Sequence, residues 1–137
     1  MYVDAKVASL QPYADAIEGD VDADACVASF GVLPEAAVQA LTAACKGIGM
    51  PDPVWVDVST LKPADALAAL EGLDPQVVII ADELAAGLLS QGYHAQIQLD
   101  AYGRLLGRSI VAFTSFEADL ANDKLKQRDW ALLKQLR

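Results

Sequence analysis

The hydrophobic positions of this chain follow two periods. Four short stretches are apolar and rich in β-branched or small residues: "ACVASFGV" (25–32), "PVWVDVST" (53–60), "QVVIIAD" (76–82) and "SIVAFTS" (109–115). The second alternates. The third is a continuous apolar run, the pattern of a strand covered on both faces. Helical patterns fill the gaps. Pro34 opens "PEAAVQALTAACKGIG" and Pro63 opens "PADALAALEG", since proline suits a first helical turn. Gly47 or Gly49 ends the first of these helices and Gly72 the second. Asp82 caps "ELAAGLLSQG", and Asn122 caps a last helix with Leu125, Leu132, Leu133 and Leu136 on one face.

Alternating strands and helices predict an α/β fold with three layers, α/β/α. Right-handed crossovers restrict the topology, and the most economical arrangement is a four-stranded, mainly parallel sheet in order 2-1-3-4. The whole chain, 1–137, reads as one domain, with residues 1–20 as a helical extension interrupted near Pro12. The acidic run Asp20–Asp24 leads into the first strand as a solvated loop. "DAYGRLLGR", with Gly103 and Gly107, predicts a hairpin or irregular excursion before the last strand.

Composition narrows the function classes. At 54% hydrophobic and 21% charged, the chain can build a core rather than stay disordered. No apolar run is long enough to cross a bilayer, so no membrane association is expected. The first residues lack a basic region followed by an apolar block, as a signal peptide would have. Two cysteines, Cys26 and Cys45, are too few for a disulfide framework or zinc site. A reduced, cytoplasmic protein without metal or other cofactor is expected. Net charge is −9, divided as −12 over residues 1–103 and +3 over 104–137. Nucleic acid is repelled at long range, leaving weak binding or none. Lys124 and Arg128, at i and i+4 of the last helix, are the candidate weak phosphate contacts.

Open parallel sheets bind ligands outside the carboxyl ends of their strands. Those ends here are Ser29-Phe30-Gly31, Ser59-Thr60, Ala81-Asp82-Glu83 and Thr114-Ser115-Phe116-Glu117. The first loop has no phosphate-binding glycine array, so Gly31 serves a turn. Asp82 and Glu83 could act as paired carboxylates, or as a helix cap and dipole partner. His94 has no serine or cysteine beside it and reads as a surface residue leaving a helix. Cys26 and Cys45 read as buried packing residues. Trp55 and Trp130 read as core edges rather than base-stacking platforms.

Residues 76–137 resemble the C-terminal half of the uracil-DNA glycosylase superfamily, especially its family-four-like members. "VVIIADELAAGLL" is similar to the third strand and helix, and "DAYGRLLGRSIVAFTS" to the hairpin and last strand. The family follows that strand with a Thr-Tyr-His-Pro-Ser-type loop, a leucine turn, Asn-Pro and a basic helix with a tryptophan. This chain has Thr114-Ser115-Phe116-Glu117-Ala118, Leu120, Asn122-Asp123, then Lys124, Lys126, Arg128 and Trp130.

Phe116 stands at the histidine position and Glu117 at the proline position. Phenylalanine cannot hydrogen-bond a developing uracil anion. "SFGVLPEAA" replaces the water-positioning segment after the first strand, and the four cysteines of iron–sulfur members are absent. A short non-catalytic relative of that fold, the psi-subunit family of DNA polymerase III clamp loaders, is loosely similar in layout to "VLPEAAVQALTAACKGIGMPDPVWVDVSTLKPADAL". The resemblance implies a scaffold without the glycosylase chemistry, acting through another protein in DNA replication or repair. The alternative is a small-ligand binder or enzyme using the changed crevice residues, such as Ser29, Asp82, Ser115 and Glu117. An active uracil glycosylase is the least favoured reading.

Overall fold

The structure, a computed structural model, describes residues 2–137, with side chains from Ala5 onward. Helix α1 (Tyr2–Leu10) continues into a 3-10 turn (Gln11–Ala16) at Pro12, then into a two-residue strand β1 (Ile17–Glu18). The order thereafter is β2 (Ala25–Ser29), α2 (Glu35–Gly47), β3 (Val54–Asp57), α3 (Pro63–Leu73), β4 (Val77–Ile80) and α4 (Glu83–Tyr93). The hairpin β5 (Ala101–Leu105) and β6 (Arg108–Ala112) follows, then a short α5 (Phe116–Asp119) and α6 (Asp123–Lys134).

The fold is α/β, and its sheet is six-stranded and mixed, in order β1-β3-β2-β4-β6-β5. It is thus wider than the four strands expected. Strands β3, β2, β4 and β6 are parallel neighbours, and each edge strand is antiparallel to its partner. The extra strands lack a readable period. β1 has only two residues, at the end of an extension expected to be helical with an interruption near Pro12, and β5 carries Gly103 and the exposed Arg104. The parallel strands are also shorter than their apolar stretches. β3 stops at Asp57, and Val58–Thr60 forms a 3-10 turn.

Period-two alternation divides the strands between two cores. Cys26, Ala28, Val78 and Ile80 pack with Leu10, Leu70, Leu73 and Leu89 of α1, α3 and α4. Ala25, Val27, Val77 and Ile79 pack with Leu41, Cys45, Phe116 and Leu133 of α2, α5 and α6. The layers are therefore α/β/α, with both faces of the parallel strands covered.

The helix ends follow local chemistry. Asp82 and Asn122 cap α4 and α6, and Gly49 (φ +81) follows the end of α2. Gly72 does not end α3. It lies inside the helix, where an added Cβ would sit 2.8 Å from Leu10 Cδ2, so its missing side chain admits α1. Asp74 supplies the left-handed end instead, at φ 49°.

Candidate functional site: the carboxyl edge of the sheet

The carboxyl ends of β4 and β6 are joined by backbone. Glu83 N–H donates to Thr114 O at 3.0 Å, and Phe116 N–H to Ala81 O at 2.9 Å. Asp82 Oδ1 accepts from Ala85 N–H at 2.8 Å, as a helix cap does, and Oδ2 accepts from Phe30 N–H at 2.9 Å. Ser115 Oγ caps α5 by accepting from Ala118 N–H at 3.2 Å. Thr114 Oγ1 donates to Asp100 Oδ2 at 2.7 Å. Glu83 and Glu117 are exposed.

Phe116 is not a crevice residue. It is 2% exposed, and its ring lies 5.2 Å from that of Phe113 in the core beneath α5 and α6. The apolar ring buries itself because α5 starts at this residue and turns it inward.

The open part of the edge lies at β2 and β3. Ser29 Oγ donates to Gly31 O at 2.8 Å. Gly31 adopts φ +97°, and its N–H donates to Asp57 Oδ1 at 2.8 Å. Ser59 N–H reaches the same oxygen at 2.9 Å. Desolvation pushes the Asp57 carboxyl up, but hydrogen bonds from Ser59 and Gly31 outweigh it and hold the group below its ordinary range. A cavity of about 230 Å³ opens here, walled by the residues around Asp15, Glu18, Val32, Trp55, Val56 and Asp57. The 3-10 turn and β1 form one side, so the N-terminal extension completes the cavity. Phe30 (41% exposed), Val32 (93%) and Leu84 (61%) leave apolar surface at this same end of the sheet.

Lys124 and Arg128 do not form a pair of free cations. Lys124 is exposed, but Arg128 Nη2 lies 3.1 Å from Asp100, 3.0 Å from Asp119 and 3.1 Å from Asp129. Three carboxylates converge on this guanidinium near the middle of α6. Asp129 is 2% exposed, and its Oδ2 has no hydrogen-bond partner among the described residues. Burial and the adjacent Asp119 carboxyl push Asp129 up to about 7, against the opposing pull of Arg128.

The remaining candidates sit in structural positions. His94 is exposed and ends α4 in a left-handed conformation, at φ 51°. Cys26 and Cys45 are free thiols at 0% exposure, and burial pushes them up to about 12 and about 11. Trp55 and Trp130 pack at the core's edge, and Trp55 also lines the cavity. Among the described residues, no cluster of three or more His, Cys, Asp or Glu side chains could hold a metal ion. No described helix is long and apolar enough to cross a membrane.

Sequence reasoning missed Asp15, Glu18 and Asp57. The first two lie outside the strand–helix alternation, in the 3-10 turn and the two-residue β1. Asp57 carried a usable signal, because an Asp two residues before a serine at a strand end commonly forms an Asx turn. The chain as a whole matches no protein-family model and no curated protein.

Proposed function

We propose that this chain is a non-catalytic, uracil-DNA-glycosylase-like α/β domain that works through protein–protein contact. A DNA replication or repair assembly is the setting that the resemblance of residues 76–137 implies. The observation that carries the reading is Phe116. At the position where the resembling family has its histidine, this chain has a core side chain, 2% exposed. The polar groups around it are engaged as caps of α4 and α5. The carboxyl edge instead offers the exposed side chains of Phe30, Val32 and Leu84. Apolar side chains presented together on a surface favour partner contact.

Affinity capture of the full chain from its native cell, with identification of the proteins retained, tests the reading. Replication or repair proteins held by the wild type and lost with Phe30→Asp/Val32→Asp are the expected outcome. Release of uracil from single- or double-stranded DNA by the purified chain overturns it. The cavity of about 230 Å³ favours a second reading, in which the same edge binds a small ligand. Retention of a metabolite by the natively purified protein distinguishes this reading from the first.

A further inference from the structure

We propose that the cavity between the N-terminal extension and the ends of β2 and β3 receives an arginine or lysine side chain of a protein partner, with Val32 and Phe30 meeting apolar residues beside it. This deepens the protein-contact reading and rests on it.

Three observations converge. The first is size. Pockets for drug-sized ligands run to roughly 300–1,000 Å³, and this cavity is about 230 Å³. One long side chain fits that space better than a nucleotide or a large cofactor. The second is charge. The lining carries Asp15, Glu18 and Asp57, with no lysine, arginine or histidine. The backbone hydrogen bonds from Gly31 and Ser59 both fall on Asp57 Oδ1. An anionic ligand is repelled, while a guanidinium or ammonium group finds carboxylate acceptors. The third is the wall. Ile17, Leu33, Val38 and Trp55 provide apolar surface for the methylene stem of such a side chain. An arginine plane can also meet the Trp55 ring.

The surroundings extend the match. Val32 lines the cavity and is 93% exposed, and Phe30 is two residues away. Asp82 ties Phe30 to the start of α4, where Leu84 is 61% exposed. A partner segment with one basic side chain flanked by apolar ones therefore meets acidic and apolar surface together. Residues 1–103 carry −12, which also draws a basic partner in.

The probe is a capped peptide, Leu-Arg-Leu-Leu, titrated against the full chain while tryptophan emission and backbone amide shifts are followed. Citrulline in place of arginine keeps the shape and removes the charge. The expected result is saturable binding, with shifts at Gly31, Val32 and Trp55. Asp15→Lys/Glu18→Lys should weaken it at least about tenfold, as two surface ion pairs turned repulsive imply, and citrulline, which removes the charge without repulsion, should weaken it by a smaller factor. Asp22→Lys/Asp24→Lys makes the same change of net charge at the opposite end of β2 and should leave binding intact.

No saturable binding, equal binding of the citrulline peptide, or equal weakening by both lysine pairs overturns the proposal. The captured partners separate this inference from the reading beneath it. If Phe30→Asp/Val32→Asp loses them and Asp15→Lys/Glu18→Lys keeps them, the contact surface stands and the basic-side-chain cavity falls. If the wild type retains no partner, the protein-contact reading falls.

Discussion

The backbone N–H of Phe30 donates to Asp82 Oδ2 at 2.9 Å, across 52 positions of sequence. One carboxylate thereby caps α4 and fixes the loop after β2. Its two oxygens serve different elements: Oδ1 takes Ala85 N–H at 2.8 Å, and Oδ2 takes Phe30 N–H. The adjacent acid, Glu83, is exposed, so the two carboxylates do not share one environment.

Asp82→Ala should therefore lower stability by about 1–2 kcal/mol, the usual range for a lost helix cap, and should also loosen residues 30–32. Urea unfolding measures the first effect and amide exchange at Phe30 the second. Asp82→Asn retains an acceptor oxygen and should lose less. An alanine variant as stable as wild type, with Phe30 equally protected, contradicts this assignment.

Two glycines of α4 should respond in opposite directions. A Cβ on Gly92 would sit 2.4 Å from Pro63 O and 3.1 Å from Pro63 C, both backbone atoms of α3. Gly92→Ala must push α3 and α4 apart, at a cost of about 1–3 kcal/mol. Gly87 is exposed in the same helix, and its added Cβ would meet nothing within 4 Å. Gly87→Ala should stabilise by about 0.4–1 kcal/mol. Thermal unfolding of the two variants settles both signs.

The same residues show what a sequence can reveal. Asp82 and Asn122 were legible as caps because capping is local chemistry, confined to a few positions. Val77–Ile80 was legible because burial on both faces leaves a continuous apolar run. Gly72 was misread as a helix end because its cause is Leu10, which lies 62 positions earlier. Phe116 was placed in the crevice because its loop lies at a strand end, yet α5 begins there and turns the ring inward. Glu18 could not be placed from periodicity, because two residues of β1 show none. The cavity arises when that strand pairs with Trp55, a long-range event without a local signature.

Asp129 should link stability to pH. Asp119 of α5 and Arg128 of α6 face it, and Asp100, just before β5, shares the Arg128 guanidinium. Burial and Asp119 raise its folded pKa to about 7, above the ordinary carboxyl value of 3.8. The folded state thus holds a proton that the unfolded state releases. The stabilisation from this group is complete below about pH 4 and is lost as pH rises towards 7. Asp129→Asn removes that ionisation, so the variant should gain stability relative to wild type between pH 5 and 8. Urea unfolding of both proteins across that range reads the difference. Parallel curves would show that the Asp129 proton is not held on folding.

The DNA-facing expectation follows from the ion pairs of α6. Two free cations at i and i+4 would give a log–log salt slope of about −2. Arg128 is held by Asp100, Asp119 and Asp129, so Lys124 is the candidate contact that stays exposed. One phosphate contact gives a slope of about −0.9, or roughly a three- to fourfold loss between 50 and 200 mM salt. A net charge of −9 opposes even that contact. Binding at physiological salt should be no tighter than the non-specific range of about 10⁻⁴–10⁻⁶ M. Fluorescence anisotropy with labelled single- and double-stranded DNA at both salt concentrations measures the slope. Lys124→Glu should abolish the residual binding. Arg128→Gln should leave it unchanged while lowering stability, because three carboxylates then lose their common cation. Tight binding that survives physiological salt, with a slope near −2 that Arg128→Gln halves, would mean that Arg128 leaves its carboxylates to reach phosphate. The protein-contact reading would then give way to a nucleic-acid one.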